Sequence, residues 1–280
     1  MDSLATPIPP ATPIPPIPDT PPSPRPSVAI WRWWIALLII GSSPLLSALS
    51  SSQRGADAGA MIPKSVPGLL HFCALQLGAF AIIWALFYLF SRANKDELFL
   101  RLRGFWKTIG WGILYSFLMR FGLALVTMVI LVVLSLAGLD LVKMIKVMQE
   151  NGDGAQKAFG PVLQNGSPLY RFLVITLISF VVAGLREELW RVATMAGLQK
   201  IAPRNWNQNQ KNALTLGLSS VVFGMGHLYQ GWTGVVATTL LGVVMGAIIL
   251  HHKSIWPAIV AHGCFNAVSF VALTMIGKGN

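Results

Sequence analysis

Residues 67–91 hold no Asp, Glu, Lys or Arg, and residues 109–138 hold only Arg120. Runs of this length constrain the chain before any motif is read. About 20 apolar residues in a helix match the ~30 Å hydrocarbon core of a bilayer. Lipid offers peptide groups no hydrogen-bond partner, so each crossing must satisfy its backbone internally, which predicts helices. Only 11% of the 280 residues are charged and 54% are hydrophobic, too little polar surface to wrap a soluble core. The expected fold class is all-α: a polytopic integral membrane helical bundle enclosing a polar cavity.

The apolar runs place spans near 31–49, 67–91, 109–138, 169–199, 212–229, 232–250 and 255–277. That makes seven transmembrane helices, or eight if 109–138 divides. As one helix, 109–138 would measure roughly 45 Å. The sequence reading is an interfacial or tilted first part, then a span from Phe121, with Arg120 snorkelling to the headgroups rather than lining a substrate cavity. Between 139 and 168, Leu141–Met148 reads as a short interfacial helix and Asn151-Gly152-Asp153-Gly154 as a loop.

Residues 1–27 carry 11 of the 18 prolines, with Thr-Pro-Ile-Pro-Pro at 6–10 and again at 12–16. This tail is expected to be disordered and extended, and it lacks the pattern of a signal peptide. Residues 28–280 are expected to form one membrane-embedded helical domain, with a motif-bearing core at 169–277. The formal charge of +11 sits mostly between the apolar runs, so it reads as juxtamembrane contact with a lipid bilayer and not as a nucleic-acid surface. The densest basic stretch, Arg92, Lys95, Arg101, Arg103 and Lys107, makes segment 92–107 cytoplasmic by the positive-inside rule. Cys73 and Cys264 lie inside apolar runs and read as small core residues.

Eight of the ten acidic residues fall in the tail or in connectors. Glu187 and Glu188 do not; they sit side by side in an apolar helix, where burial costs at least a few kcal/mol. Arg191 is placed to reach either carboxylate. The pair could be an ion-paired knot between helices, but two further clusters accompany it. Phe223-Gly224-Met225-Gly226-His227 closes one span, and His262-Gly263-Cys264-Phe265-Asn266 lies inside the last. His262 and Asn266 share one helical face, which must turn away from lipid. His71, His251 and His252 read instead as interfacial or solvated. A carboxylate with a nearby imidazole can deprotonate a water, and a second imidazole with a carboxamide can stabilise an oxyanion. Glu187, His227 and His262 could alternatively hold zinc; a metal-free site is favoured because Asn266 is a poor zinc ligand.

Glu-Glu-…-Arg, then Phe-x-x-x-His, then His-x-x-x-Asn, in that order on three hydrophobic helices, resembles the CPBP family. This family comprises CAAX prenyl endopeptidases, bacteriocin-processing proteins and abortive-infection-like proteins. The resemblance implies an intramembrane endopeptidase acting on a membrane-associated peptide or protein, CAAX-like or prenylated. It assigns water activation to Glu187 and His227 and oxyanion stabilisation to His262 and Asn266, with Glu188, Arg191 and Phe223 in support. One departure stands out. Only Leu189 and Trp190 separate Glu188 from Arg191, where the family has three residues. An alternative alignment puts Arg186 at the catalytic position and implies an inactive protein. The competing readings are an inactive homologue serving as immunity factor or scaffold, and a small transporter using Glu187 and the histidines as a proton relay.

Overall fold

A computed structural model describes residues 28–54, 62–152 and 154–276. Among them every regular element is helical and there is no strand. The order is α1 (Ile30–Arg54), α2 (Val66–Ser91), α3 (Phe105–Leu136), α4 (Leu141–Gly152), α5 (Gly154–Asn165) and α6 (Pro168–Leu173), followed by a π-helical segment (Val174–Leu185). Then come α7 (Arg186–Ile201), α8 (Gln208–Met225), a 3₁₀ turn (Leu228–Gln230), α9 (Gly231–His252) and α10 (Trp256–Ile276). The proline-rich tail lies outside the described residues.

Five stretches are long and apolar enough to cross a membrane: Val66–Ser91, Phe105–Leu136, Pro168–Ile201, Leu228–His252 and Trp256–Met275. The expected seven or eight also include α1 and α8. Both are helices where the sequence predicts them, but each is diluted by polar residues. The α8 helix opens on Gln208-Asn209-Gln210-Lys211-Asn212, with a capping box between Asn207 and Gln210, and α1 passes through Gly41-Ser42-Ser43-Pro44. Residues 105–136 form one unbroken helix of 32 residues, so the two-part reading of this run is corrected. Nothing in it breaks the hydrogen-bond ladder, and the snorkelling expected of Arg120 is corrected as well: its guanidinium turns to Ser116 of its own helix and to the carbonyls of Cys264 and Phe265 in α10. The loop expected around Asn151-Gly152-Asp153-Gly154 is narrowed by helix on both sides, and Asp153 itself lies outside the described residues. Asn151 and Gly152 end α4, and Gly154 begins α5. Val162 and Leu163 of α5 are buried with Tyr170 and Phe270, an apolar anchor that outweighs the local turn signal.

Helix α10 is central, packed against the π-helical segment, α3, α5 and α9. Missing side chains permit the closest approaches. A Cβ at Gly112 of α3 would overlap the Val260 side chain, and one at Gly263 would overlap the Phe180 ring. The loop after α2 ties down the start of α10: Ile255 N donates to Phe99 O (2.8 Å), and Trp256 Nε1 donates to Leu100 O (3.0 Å). On the other side, Pro44 inside α1 supplies no N–H to Ile40 O. Trp190 Nε1 of α7 donates to that carbonyl at 2.9 Å, so a proline's missing donor becomes an interhelical bond. Trp190 then joins Trp33, Phe87 and Phe223 in an apolar core between α1, α2, α7 and α8.

Candidate active site

Glu187 and Glu188 occupy the first turn of α7, directly after the π-helical segment. A π-helix bonds i→i+5 and is wider than an α-helix, and such segments recur at functional sites. It shifts the phase of every residue that follows, so the directions of the two glutamates cannot be counted along a regular helix from Tyr170. Adjacent α-helical residues then point about 100° apart, and the two carboxylates meet different neighbours.

Glu188 is fully buried. Its Oε2 accepts from Arg191 Nε at 2.9 Å, and its Oε1 lies 2.8 Å from His262 Nδ1 of α10. Arg191, also fully buried, donates from Nη1 to Gly242 O of α9 at 3.3 Å. Its guanidinium stands 4.3 Å from the centre of the Phe223 ring. The shortened Glu-x-x-Arg spacing therefore makes an i,i+3 ion pair inside the core. Close packing keeps it there: a Cβ at Gly242 would lie 3.3 Å from Arg191 Nη1.

Glu187 is held differently. Its Oε1 accepts from Arg186 Nη2 at 3.1 Å, and Arg186 Nη1 donates to Gln76 Oε1 of α2 at 2.8 Å. Glu187 Oε2 lies 3.7 Å from His262 Nε2 and is buried with no hydrogen-bond partner among the described residues. His262, 9% exposed at its side chain, thus has one ring nitrogen toward each glutamate.

His227 is not in a helix; it stands in the turn between α8 and the 3₁₀ turn. Its Nδ1 lies 2.9 Å from Phe223 O, which leaves Nε2 free to act. The turn is seated by Gly226, where a Cβ would come within 3.3 Å of Pro44 Cβ of α1. The Phe223 ring lies 4.7 Å from His227 and 6.2 Å, edge to face, from His262. His227 is within electrostatic reach of Glu187, His262 and Arg191. Asn266 lies one turn beyond His262 on α10 and is half-buried.

The structure therefore brings Glu187, Glu188, Arg191, Phe223, His227 and His262 together from α7, the end of α8, the turn after it and α10. Among the described residues no three His, Cys, Asp or Glu side chains are arranged to hold a metal ion. His251 is exposed, while His252 Nε2 lies 2.9 Å from Tyr115 Oη, a partner the solvated-turn reading lacks. Cys73 and Cys264 are free thiols. Gln76 and Tyr229 are additions to the sequence reading. Gln76 is an amide in a charge-free span, the same kind of signal that singled out Asn266. Tyr229, its ring 5.8 Å from that of His227, carried no such signal.

Comparison with known proteins gives one family match. Residues 169–268 fit the family described as Rce1-like, type II CAAX prenyl endopeptidase. No curated protein and no solved structure matches the chain. The matched segment contains Glu187, Glu188, Arg191, Phe223, His227, His262 and Asn266.

Proposed function

We propose that this integral membrane protein is an intramembrane endopeptidase, a reading supported by the match of residues 169–268 to the Rce1-like type II CAAX prenyl endopeptidase family, a family of proteases. Its substrate is a membrane-associated peptide or protein of CAAX-like or prenylated type. The observation that carries the reading is Glu187 Oε2, buried without a hydrogen-bond partner among the described residues and 3.7 Å from an imidazole nitrogen. A carboxylate oxygen so placed can accept a proton from a water.

Glu187 and the free Nε2 of His227 hold the water. Its oxygen attacks the scissile carbonyl carbon while Glu187 takes a proton. The negative charge on the former carbonyl oxygen is met by His262 Nε2–H and the Asn266 amide. His262 donates from Nε2 while Nδ1–H remains on Glu188, which requires a proton on both ring nitrogens. The intermediate collapses, the C–N bond breaks, and the proton held by Glu187 passes to the leaving amine. Glu188 and Arg191 fix the His262 ring, and Arg186 with Gln76 fixes Glu187. No step is routed through a metal; zinc held by Glu187, His227 and His262 is the alternative that metal analysis tests.

The test is cleavage of a membrane-anchored reporter peptide library by the full chain in lipid nanodiscs, wild type against Glu187→Gln. Turnover should fall by at least ~100-fold, the lower range for loss of a general base, with insertion and melting temperature unchanged. Absence of wild-type cleavage would favour an inactive homologue. Undiminished turnover in the variant would remove Glu187 from the mechanism.

A further inference from the structure

When the C–N bond of a peptide breaks, the departing nitrogen must gain a proton, because an amide anion is too basic to leave. Glu187 holds that proton, but its Oε1 is tied to Arg186 and its Oε2 faces His262. His262 and Asn266 are assigned to the oxyanion and His227 to the water. Tyr229 has no assignment. It is the middle residue of the 3₁₀ turn Leu228–Gln230 that directly follows His227. Its ring lies 5.8 Å from the His227 imidazole, with the planes 33° apart. The phenol oxygen accepts from Gln230 Nε2 at 2.9 Å, and its own O–H has no acceptor among the described residues. Glu187 and Arg186 are both within electrostatic reach of the phenol, as Glu187 is of His227. The hydroxyl is a donor without a partner, on the same turn as one water-holding group and in the field of the other.

The turn holds this ring still. Gln230 N donates to His227 O at 2.9 Å, and Gly231 closes the turn at φ +77° with its N–H returned to Leu228 O. A Cβ at Gly234 would overlap the Gln230 side chain, so bare backbone of α9 seats the glutamine that grips the phenol. An N–H donated to the phenol oxygen fixes the direction of the O–H and stabilises negative charge gathering there as the proton leaves. The Arg186 guanidinium acts in the same sense.

We propose that Tyr229 is a further catalytic residue, the proton donor to the leaving amine. Its O–H proton goes to the amine nitrogen as the C–N bond breaks, which leaves the phenol oxygen negative. The carboxylic acid of Glu187, protonated by the attacking water, returns a proton to that oxygen. Tyr229 and the Glu187 carboxylate are then as they began. This step deepens the peptidase reading and rests on it.

Two membrane-anchored reporters with the same acyl half are compared on the full chain in nanodiscs. One carries a scissile amide and the other a nitrophenyl ester, whose leaving group departs without a proton. Tyr229→Phe keeps the ring and removes the donor. Amide cleavage should fall by ~100-fold or more, the lower range for loss of a general acid, and ester cleavage by far less. A tyrosine that only packs against His227 would slow both alike, so equal losses overturn the assignment, as does undiminished amide cleavage. Where Tyr229→Phe does not fold, Tyr229→3-fluorotyrosine keeps the shape and makes a stronger acid. It should move the alkaline limb of kcat/KM for the amide to lower pH and leave that for the ester in place; an unmoved amide limb overturns the proposal. Cleavage of neither reporter by the wild type removes the peptidase reading and the donor role with it. Cleavage of both with equal sensitivity to Tyr229→Phe removes the donor role alone.

Discussion

Glu188 and Arg191 show no exposed side-chain surface, and their mutual bond is one of several each makes. Replacing Glu188 by Gln keeps volume and one acceptor but leaves the guanidinium charge uncompensated in the core. Breaking a buried pair on one side costs roughly 3–5 kcal/mol. Glu188→Gln should therefore lower the melting temperature in detergent clearly, and more than Glu187→Gln does, because Arg186 is 25% exposed at its side chain and keeps its bond to Gln76. Circular-dichroism melts on the two preparations decide it. If Glu188→Gln melts with wild type while abolishing turnover, the two glutamates exchange roles. The residue scale is where sequence reading went furthest. Adjacency, the i,i+3 arginine and the His-x-x-x-Asn face were all legible, because membrane depth makes each polar residue expensive and so informative. That Glu187 and Glu188 face different neighbours was legible too, from the ~100° between adjacent helical residues; the interhelical partners they meet, His262 for both and Gln76 through Arg186, were not, because the π-helical segment resets the helical phase.

Glycine pairs on one helix separate packing from propensity at the scale of elements. Gly110 and Gly112 both lie in α3. A Cβ at Gly110 meets nothing within 4 Å, whereas one at Gly112 overlaps Val260 and presses on Pro257 O. Alanine is the better helix former by roughly 0.5–1 kcal/mol, so Gly110→Ala should raise the melting temperature slightly or leave it unchanged. Gly112→Ala should lower it, with an overpacking cost of about 1–3 kcal/mol. Equal effects at the two positions would show that α3 and α10 are not in close contact there. Helix existence was readable from apolar runs. Helix ends were less so: α5 appears where turn residues predict a loop, and α8 stops at Met225 rather than continuing past His227, because burial and glycine-permitted contacts override local signals.

Two measurements address the whole molecule. The basic segment 92–107 is proposed to be cytoplasmic, and Lys95 within it is exposed. A Lys95→Cys variant on a background with Cys73 and Cys264 replaced by Ala should react with a membrane-impermeant maleimide only after the cytoplasmic side is opened. Labelling from outside intact cells would invert the topology. Water activation without metal is likewise proposed. Purified protein should carry well under one zinc per chain and keep its turnover after chelation. Stoichiometric zinc, with activity lost on stripping and regained on zinc addition, would replace the Glu187–His227 base with a metal site.

By itself the sequence determined the class of the molecule: an all-helical membrane protein whose polar residues at 187–188, 191, 227, 262 and 266 must turn inward. That much follows from the free energy of placing peptide and charged groups in hydrocarbon, which depends on residue type and run length alone. Only the tertiary structure decided which inward groups meet. The close approach of α3 and α10 at Gly112 and the turn seated on Pro44 are contacts between residues far apart in the chain, and the π-helical segment shifts the phase of the residues that follow it. Together they set His262 between two glutamates and bring Phe223 under Arg191. No local periodicity encodes those outcomes, because each depends on how two helices pack rather than on how one helix is written.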